Sequence, residues 1–254
     1  MKLYHGTSET IGRQAKAEGL RPRKFTGKSN WKHIVESNPS LIYLTTAYAP
    51  YYALHAVNGN KGEKISIVEI ETDLLDESKF RPDEDFIEQV TGLDKKNTAG
   101  IKGKTVNQRT KYIRNHLDEF SGFWKPSVEH LGNCGYKGII TGNAITKVSV
   151  VDISKCLSMC SEVLEAVITL ANYNVCGSQY RLMTRWFMGE PVTVEDWFKT
   201  QAVNSLGYLN EKEKASIVKK ISKMLADQRC IEVISPQPPP AMVGAITSGS
   251  ALSR

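Results

Sequence analysis

The stretch Leu3-Tyr4-His5-Gly6-Thr7-Ser8 decides how the first half of this chain is read. An apolar pair runs straight into a histidine. The glycine after it lets the backbone lie close against a neighbour, and a hydroxyl residue then stands where a helix N-cap would be. Residues 2–5 are expected as a short strand. Residues 8–18 are expected as a helix with Ile11 and Ala15 facing inward, stopped by Gly19 at C′. Leu20-Arg21-Pro22 then leaves in extended form, because the residue before a proline is pushed out of the helical region.

Outward from that stretch, residues 40–45 (Ser-Leu-Ile-Tyr-Leu-Thr) are apolar and β-rich, the pattern of a buried strand. Residues 47–57 place Ala49, Ala53, Ala56 and Val57 on one side of a helix, and Asn58-Gly59-Asn60 marks a turn. Residues 64–72 alternate through Ile65, Ile67, Val68 and Ile70 as another strand. Residues 74–132 are mixed, with weak helical patterns near 83–90 and 106–120, and are expected as an insertion between core strands. Residues 136–141 and 146–152 are two further strands, joined in hairpin fashion through Gly142-Asn143-Ala144.

Composition fits a globular chain, with 254 residues, 41% hydrophobic and 24% charged. No apolar run reaches the length of a membrane span, and Met1-Lys2 leads into a strand pattern rather than an apolar leader. The five cysteines, Cys134, Cys156, Cys160, Cys176 and Cys230, are odd in number and lack C-x-x-C spacing. They are read as reduced thiols of a cytoplasmic protein, with no metal expected. The net charge of +6 is unevenly spread. Residues 19–35 carry Arg21, Arg23, Lys24, Lys28 and Lys32 with no acid, and residues 95–114 carry seven basic residues with no acid. Such runs suit a polyanionic ligand such as a dinucleotide or a nucleic acid.

After Asp152 the pattern turns helical. Residues 162–173 and 180–188 show helical spacing, the second ended by Gly189 with Pro191 beyond. Thr193-Val194-Glu195-Asp196 opens a third helix as a capping box with Asp in the Glu position. Asn210 caps a fourth, with Glu213 three residues on. Its lysines Lys219, Lys220 and Lys223 lie away from Ile217, Ile221, Met224 and Leu225. Residues 230–234 are a short strand, and the Pro/Ser/Gly/Ala-rich residues from 235 onward are expected as a disordered tail. The order of helices and strand has a winged-helix character, which would turn the three lysines toward nucleic-acid phosphates.

The order Tyr4-His5-Gly6-Thr7, Gly19-Leu20-Arg21-Pro22, Ile42-Tyr43-Leu44-Thr45 and the Ala-rich helix with Tyr48, Tyr51 and Tyr52 resembles the ADP-ribosyltransferase superfamily, in its diphtheria-toxin and poly(ADP-ribose) polymerase branch. The resemblance implies an α+β fold with a split β-sheet core over residues 1–155, a small helical domain over 156–234 and a tail over 235–254. It implies NAD as substrate, His5 on the adenosine-side ribose, Gly6 at the nicotinamide amide, Tyr43 stacked on the nicotinamide, Tyr52 as a second ring, and Thr7 among the NAD-binding residues. ADP-ribose would pass to a macromolecular acceptor, protein or nucleic acid, in a toxin, phage or anti-phage setting. At the family's catalytic glutamate this chain carries Lys147, which as a cation cannot accept a hydrogen bond from a ribose hydroxyl. Glu129 is the substitute carboxylate nearest in sequence. The alternatives are a non-catalytic NAD-, ADP-ribose- or nucleic-acid-binding protein, and an enzyme like the RNA 2′-phosphotransferases.

Overall fold

The computed structural model describes residues 1–26, 37–57, 64–93, 105–156, 177–193, 196 and 210–234. The fold is α+β, built on one seven-stranded antiparallel sheet. Its strands are β1 (Lys2–Ser8), β2 (Leu41–Thr45), β3 (Ile65–Glu71), β4 (Phe80–Pro82), β5 (Asn133–Lys137), β6 (Ile145–Val151) and β7 (Ile231–Ile234). Their order across the sheet is β4-β5-β2-β1-β3-β6-β7. Every residue of β3 but the last is buried, as befits a central strand covered on both faces.

Alternation along β3 assigns the two faces. Val68 and Ile70 join Leu3, Leu44, Val148, Trp124 and Val128 on one face, which α1 (Glu9–Glu18) and α6 (Trp124–Leu131) cover. Ile65 and Ile67 face the other way. They pack with Ala49 and Ala53 of α3 (Ala49–Ala56) and with Met183, Trp186 and Phe187 of α7 (Gly177–Phe187). Each such fully buried isoleucine contributes about 1.5–3 kcal/mol of transfer free energy. A third cluster joins Leu41 of β2 to Ile87 of α4 (Glu84–Leu93) and to Ile113 of α5 (Val106–His116). A four-residue α2 (Arg23–Thr26) follows Pro22.

Several boundaries differ from the sequence reading. The first strand continues through Ser8 because β3 pairs with it residue for residue, from Lys2↔Glu71 to Ser8↔Ile65. The penultimate core strand lies at Asn133–Lys137 rather than 136–141, since Gly138 at φ 138 breaks the extended run and Ile140 instead bridges Leu20. Strands β5 and β6 form no hairpin: β5 pairs with β2 and β4, while β6 pairs with β3 and β7. The insertion supplies the three-residue edge strand β4, whose Pro82 is tolerated at an edge.

Two helix starts beyond residue 190 match the sequence reading. Thr193 and Asp196 exchange backbone-to-side-chain hydrogen bonds of 3.0 and 3.1 Å, and Asn210 and Glu213 do the same at 2.9 and 3.0 Å. Across the boundary drawn at residue 155, the described residues share one sheet and one core. Strand β7 pairs with β6 from Val151↔Ile231 to Val148↔Ile234. Trp186 Nε1–H donates to Leu225 O in α8 (Glu211–Ala226) at 3.2 Å, and Thr184 Oγ1–H donates to Ala47 O at 3.0 Å. The expected helix at 162–173 and the tail from 235 lie outside the described residues.

Helix α3 rests directly on β1. A Cβ at Gly6 would stand 2.0 Å from Ala49 O and 2.7 Å from Ala53 N, both backbone atoms. Gly6→Ala is therefore expected to push α3 off the sheet and cost about 1–3 kcal/mol. Chemical denaturation measures it, and an unchanged midpoint would contradict this packing.

Candidate functional site

Strand β1 lies between β3 and β2, and the hydrogen-bond parity says which way each residue faces. At the two ends of the β1–β3 ladder, Thr72 N–H donates to Met1 O and Glu9 N–H donates to Lys64 O. Odd residues of β1 therefore bond to β3, and Tyr4, Gly6 and Ser8 turn their backbone groups toward β2. On that side the ladder consists of one pair, Tyr4↔Thr45. Beyond it β1 and β2 part, and the N–H and C=O of Gly6, a buried residue, face β2 where the ladder has no further pair.

His5 is what holds the gap in place. Its Nδ1 lies 2.9 Å from Tyr43 O, the carbonyl that the next rung would have used. A carbonyl only accepts, so Nδ1 carries the proton and Nε2 of the neutral ring is an acceptor. Burial lowers the His5 pKa, outweighing the bond to the Tyr43 carbonyl, which favours that neutral form. Among the described residues Nε2 meets no partner. The gap thus offers a backbone donor, a backbone acceptor and an imidazole acceptor side by side. Thr7, which follows them, is buried.

Tyr43 points away from this backbone edge toward α4. Its ring packs beside Leu41, Ile87 and Ile113, and its hydroxyl lies 2.8 and 2.7 Å from the two carboxylate oxygens of Glu84. The backbone N–H of Asn38 donates to the same hydroxyl at 2.8 Å. Burial, with Glu84 next, holds the Tyr43 phenol well above its usual pKa, and burial raises Glu84 as well. Asp83 accepts from Asp85 N–H at 2.9 Å, and burial together with Glu84 pushes its carboxyl up to about 7.

Helix α3, which meets Gly6 through Ala49 and Ala53, carries an aromatic set together with its N-cap Tyr48. The Tyr51 and His55 rings are 4.4 Å apart, Tyr51 and Tyr52 5.7 Å, and Tyr48 and Tyr52 6.4 Å. Tyr52, expected as the second stacking ring, is partly buried, and burial with Asp83 raises its phenol.

The two residues weighed for the catalytic position lie elsewhere. Lys147 stands on β6 opposite Glu69, which stands opposite Tyr4, so β3 separates it from β1. Glu69 itself is buried, accepting from Thr146 Oγ1–H at 2.7 Å and pairing with Lys2 at 3.0 Å. Glu129 is exposed on α6. The carboxylate that the structure brings to Tyr43 is Glu84, which sequence reasoning missed. Its signal was an acidic run, Asp83-Glu84-Asp85, at a helix start, where carboxylates are ordinary.

Lys219, Lys220 and Lys223 are exposed on α8. Of the basic runs, Arg109 pairs with Glu88 at 2.6 Å and Arg23 donates to Ser37 O at 2.8 Å. Lys28, Lys32 and residues 95–104 lie outside the described residues. No described helix is long and apolar enough to cross a membrane, and the described residues form no His/Cys/Asp/Glu group arranged to hold a metal ion.

No family model and no curated protein sequence matches the chain. Among solved structures, EcPltA is similar at 13% sequence identity over 59% of this chain and 75% of that chain, with a TM-score of 0.33. A likeness of that size carries no argument.

Asp83 gives the site a pH signature. A carboxyl raised on folding contributes stability that is whole below the unfolded value of 3.8 and lost as pH rises to about 7. Asp83→Asn keeps the neutral form throughout. The gain in melting temperature of this variant over the wild type is expected to grow between about pH 4 and 7 and to level off above. A gain that is flat over that range would contradict a raised carboxyl at the half-buried Asp83. His5, whose pKa is lowered, acts oppositely: its contribution is present above 6.5 and declines as pH falls below it.

Proposed function

We propose that the chain binds NAD at the gap between β1 and β2 and transfers its ADP-ribose to a macromolecular acceptor. The observation that carries this reading is the pairing of functions at Gly6. A primary carboxamide presents one N–H donor edge and one carbonyl acceptor, and Gly6 offers the matching C=O and N–H where the ladder stops. Unprotonated His5 Nε2 suits a ribose hydroxyl as donor.

When the bond between nicotinamide and ribose breaks, nicotinamide leaves with the electron pair and positive charge develops on the ribose. In this chain Glu84, bonded to the Tyr43 hydroxyl and shifted by burial toward its neutral form, holds Tyr43 in place for that step. The acceptor nucleophile then takes the sugar carbon. Lys147, standing in sequence where the resemblance puts a catalytic glutamate, favours a second reading, in which NAD is bound and not cleaved.

One experiment separates these. The protein is incubated with labelled NAD and a bacterial lysate, and the labelled material is then digested separately with nuclease and protease. Transfer is expected, with the effective digestion naming the acceptor class. His5→Ala is expected to weaken NAD binding by up to about tenfold, the worth of one hydrogen bond. Glu84→Gln keeps a hydrogen-bond partner for the Tyr43 hydroxyl and is expected to change transfer by less than about tenfold. Binding without transfer in the wild type would establish the second reading, and neither would overturn both.

A further inference from the structure

The far edge of the sheet carries two thiols that the proposed reaction does not use. Cys156 lies in the helical segment that follows β6, and Cys230 immediately precedes β7. The backbone brings them together: Val151 pairs with Ile231, Asp152 N–H donates to Cys230 O at 2.9 Å, and Cys156 N–H donates to Asp152 O at 3.1 Å. Their sulfurs lie 2.9 Å apart although 74 positions separate them in sequence. Both are buried, in one core with Trp186, Phe187 and Leu225. Cys134, the other described cysteine, is buried on the opposite face of the sheet.

We propose that Cys156 and Cys230 are a reversible disulfide site, oxidised by a small disulfide of the glutathione class. The Cys230 thiolate attacks one sulfur of the oxidant and releases the first small thiol. Cys156, giving up its proton, then attacks the mixed disulfide and releases the second. Two protein thiols become one disulfide, and the oxidant takes up both electrons and both protons.

The order of attack follows from the contact itself. The Cys156 S–H donates to the Cys230 sulfur, which lowers the pKa of Cys230 and, with burial, raises that of Cys156. Access comes through the edge of the sheet. Strand β7 is four residues long with Glu232 and Val233 exposed, so local opening of that edge uncovers Cys230 without unfolding the core. The bond would tie β7 to the end of β6 and enclose the chain that carries α7 and α8.

The test equilibrates the full chain in glutathione buffers of increasing oxidised fraction, quenches it with acid, alkylates it under denaturing conditions and maps the peptides. Expected is the loss of two hydrogens from the intact mass, a Cys156–Cys230 cross-linked peptide, and alkylation of the remaining three of the five cysteines. The oxidised protein is expected to melt several degrees higher, and dithiothreitol should reverse both changes. Cys156→Ser and Cys230→Ser should each lose the cross-link while Cys134→Ser keeps it, with circular dichroism checking the fold of all three. Five alkylated cysteines in the most oxidising buffer, or a cross-link leaving Cys156 and Cys230 free, would overturn the proposal.

Discussion

One missing rung organises this molecule. Tyr43 O faces β1, where the next backbone amide should meet it, and the imidazole of His5 takes it instead. The substitution keeps a part-buried carbonyl satisfied, which a parted sheet would otherwise leave unpaired. It also frees Gly6. The sheet can open on one side of β1 because the other side is fully paired, with seven consecutive partners on β3. Rigidity on one edge and an opening on the other is a sound way to hold a small molecule against backbone groups.

Packing enforces the same arrangement from above. Helix α3 approaches β1 so closely at Gly6 that no side chain fits there, and Ala49 and Ala53 let the helix sit down. The absence of a Cβ thus serves the helix contact and leaves the backbone edge of the gap uncluttered. Tyr43 then links the gap to the acidic start of α4, with both Glu84 oxygens on its hydroxyl. Glu84, Asp83 and Tyr43 are all shifted toward their protonated forms, which spares this partly buried group the repulsion of adjacent anions.

Much of this was legible in the residues. The His5-Gly6 pair, the run of Ile65, Ile67, Val68 and Ile70 in β3 and the strand around Tyr43 carry strong local signals, because buried strands and close backbone approach each demand few residue types. The α+β class was expected from the resemblance those stretches carry, and the seven-stranded sheet with its helices bears it out. What stayed hidden depends on long-range pairing. Strand β4 has three residues including a proline, too short for any periodicity, and β5 is set by β2 rather than by its own pattern. Strand β7 was visible as a strand, yet its place beside β6 was not. Glu84 was hidden because its role arises from a tyrosine 41 positions away.

The central claim is that the backbone of Gly6 receives a carboxamide, and nitrogen-15 labelling of the glycines tests it directly. Amide spectra are recorded as nicotinamide is added, with nicotinic acid as the control lacking the N–H donor. A saturable shift of the Gly6 cross-peak with nicotinamide, and a much smaller one with nicotinic acid, is the expected result. A Gly6 amide that ignores both ligands, or answers them equally, would contradict the claim.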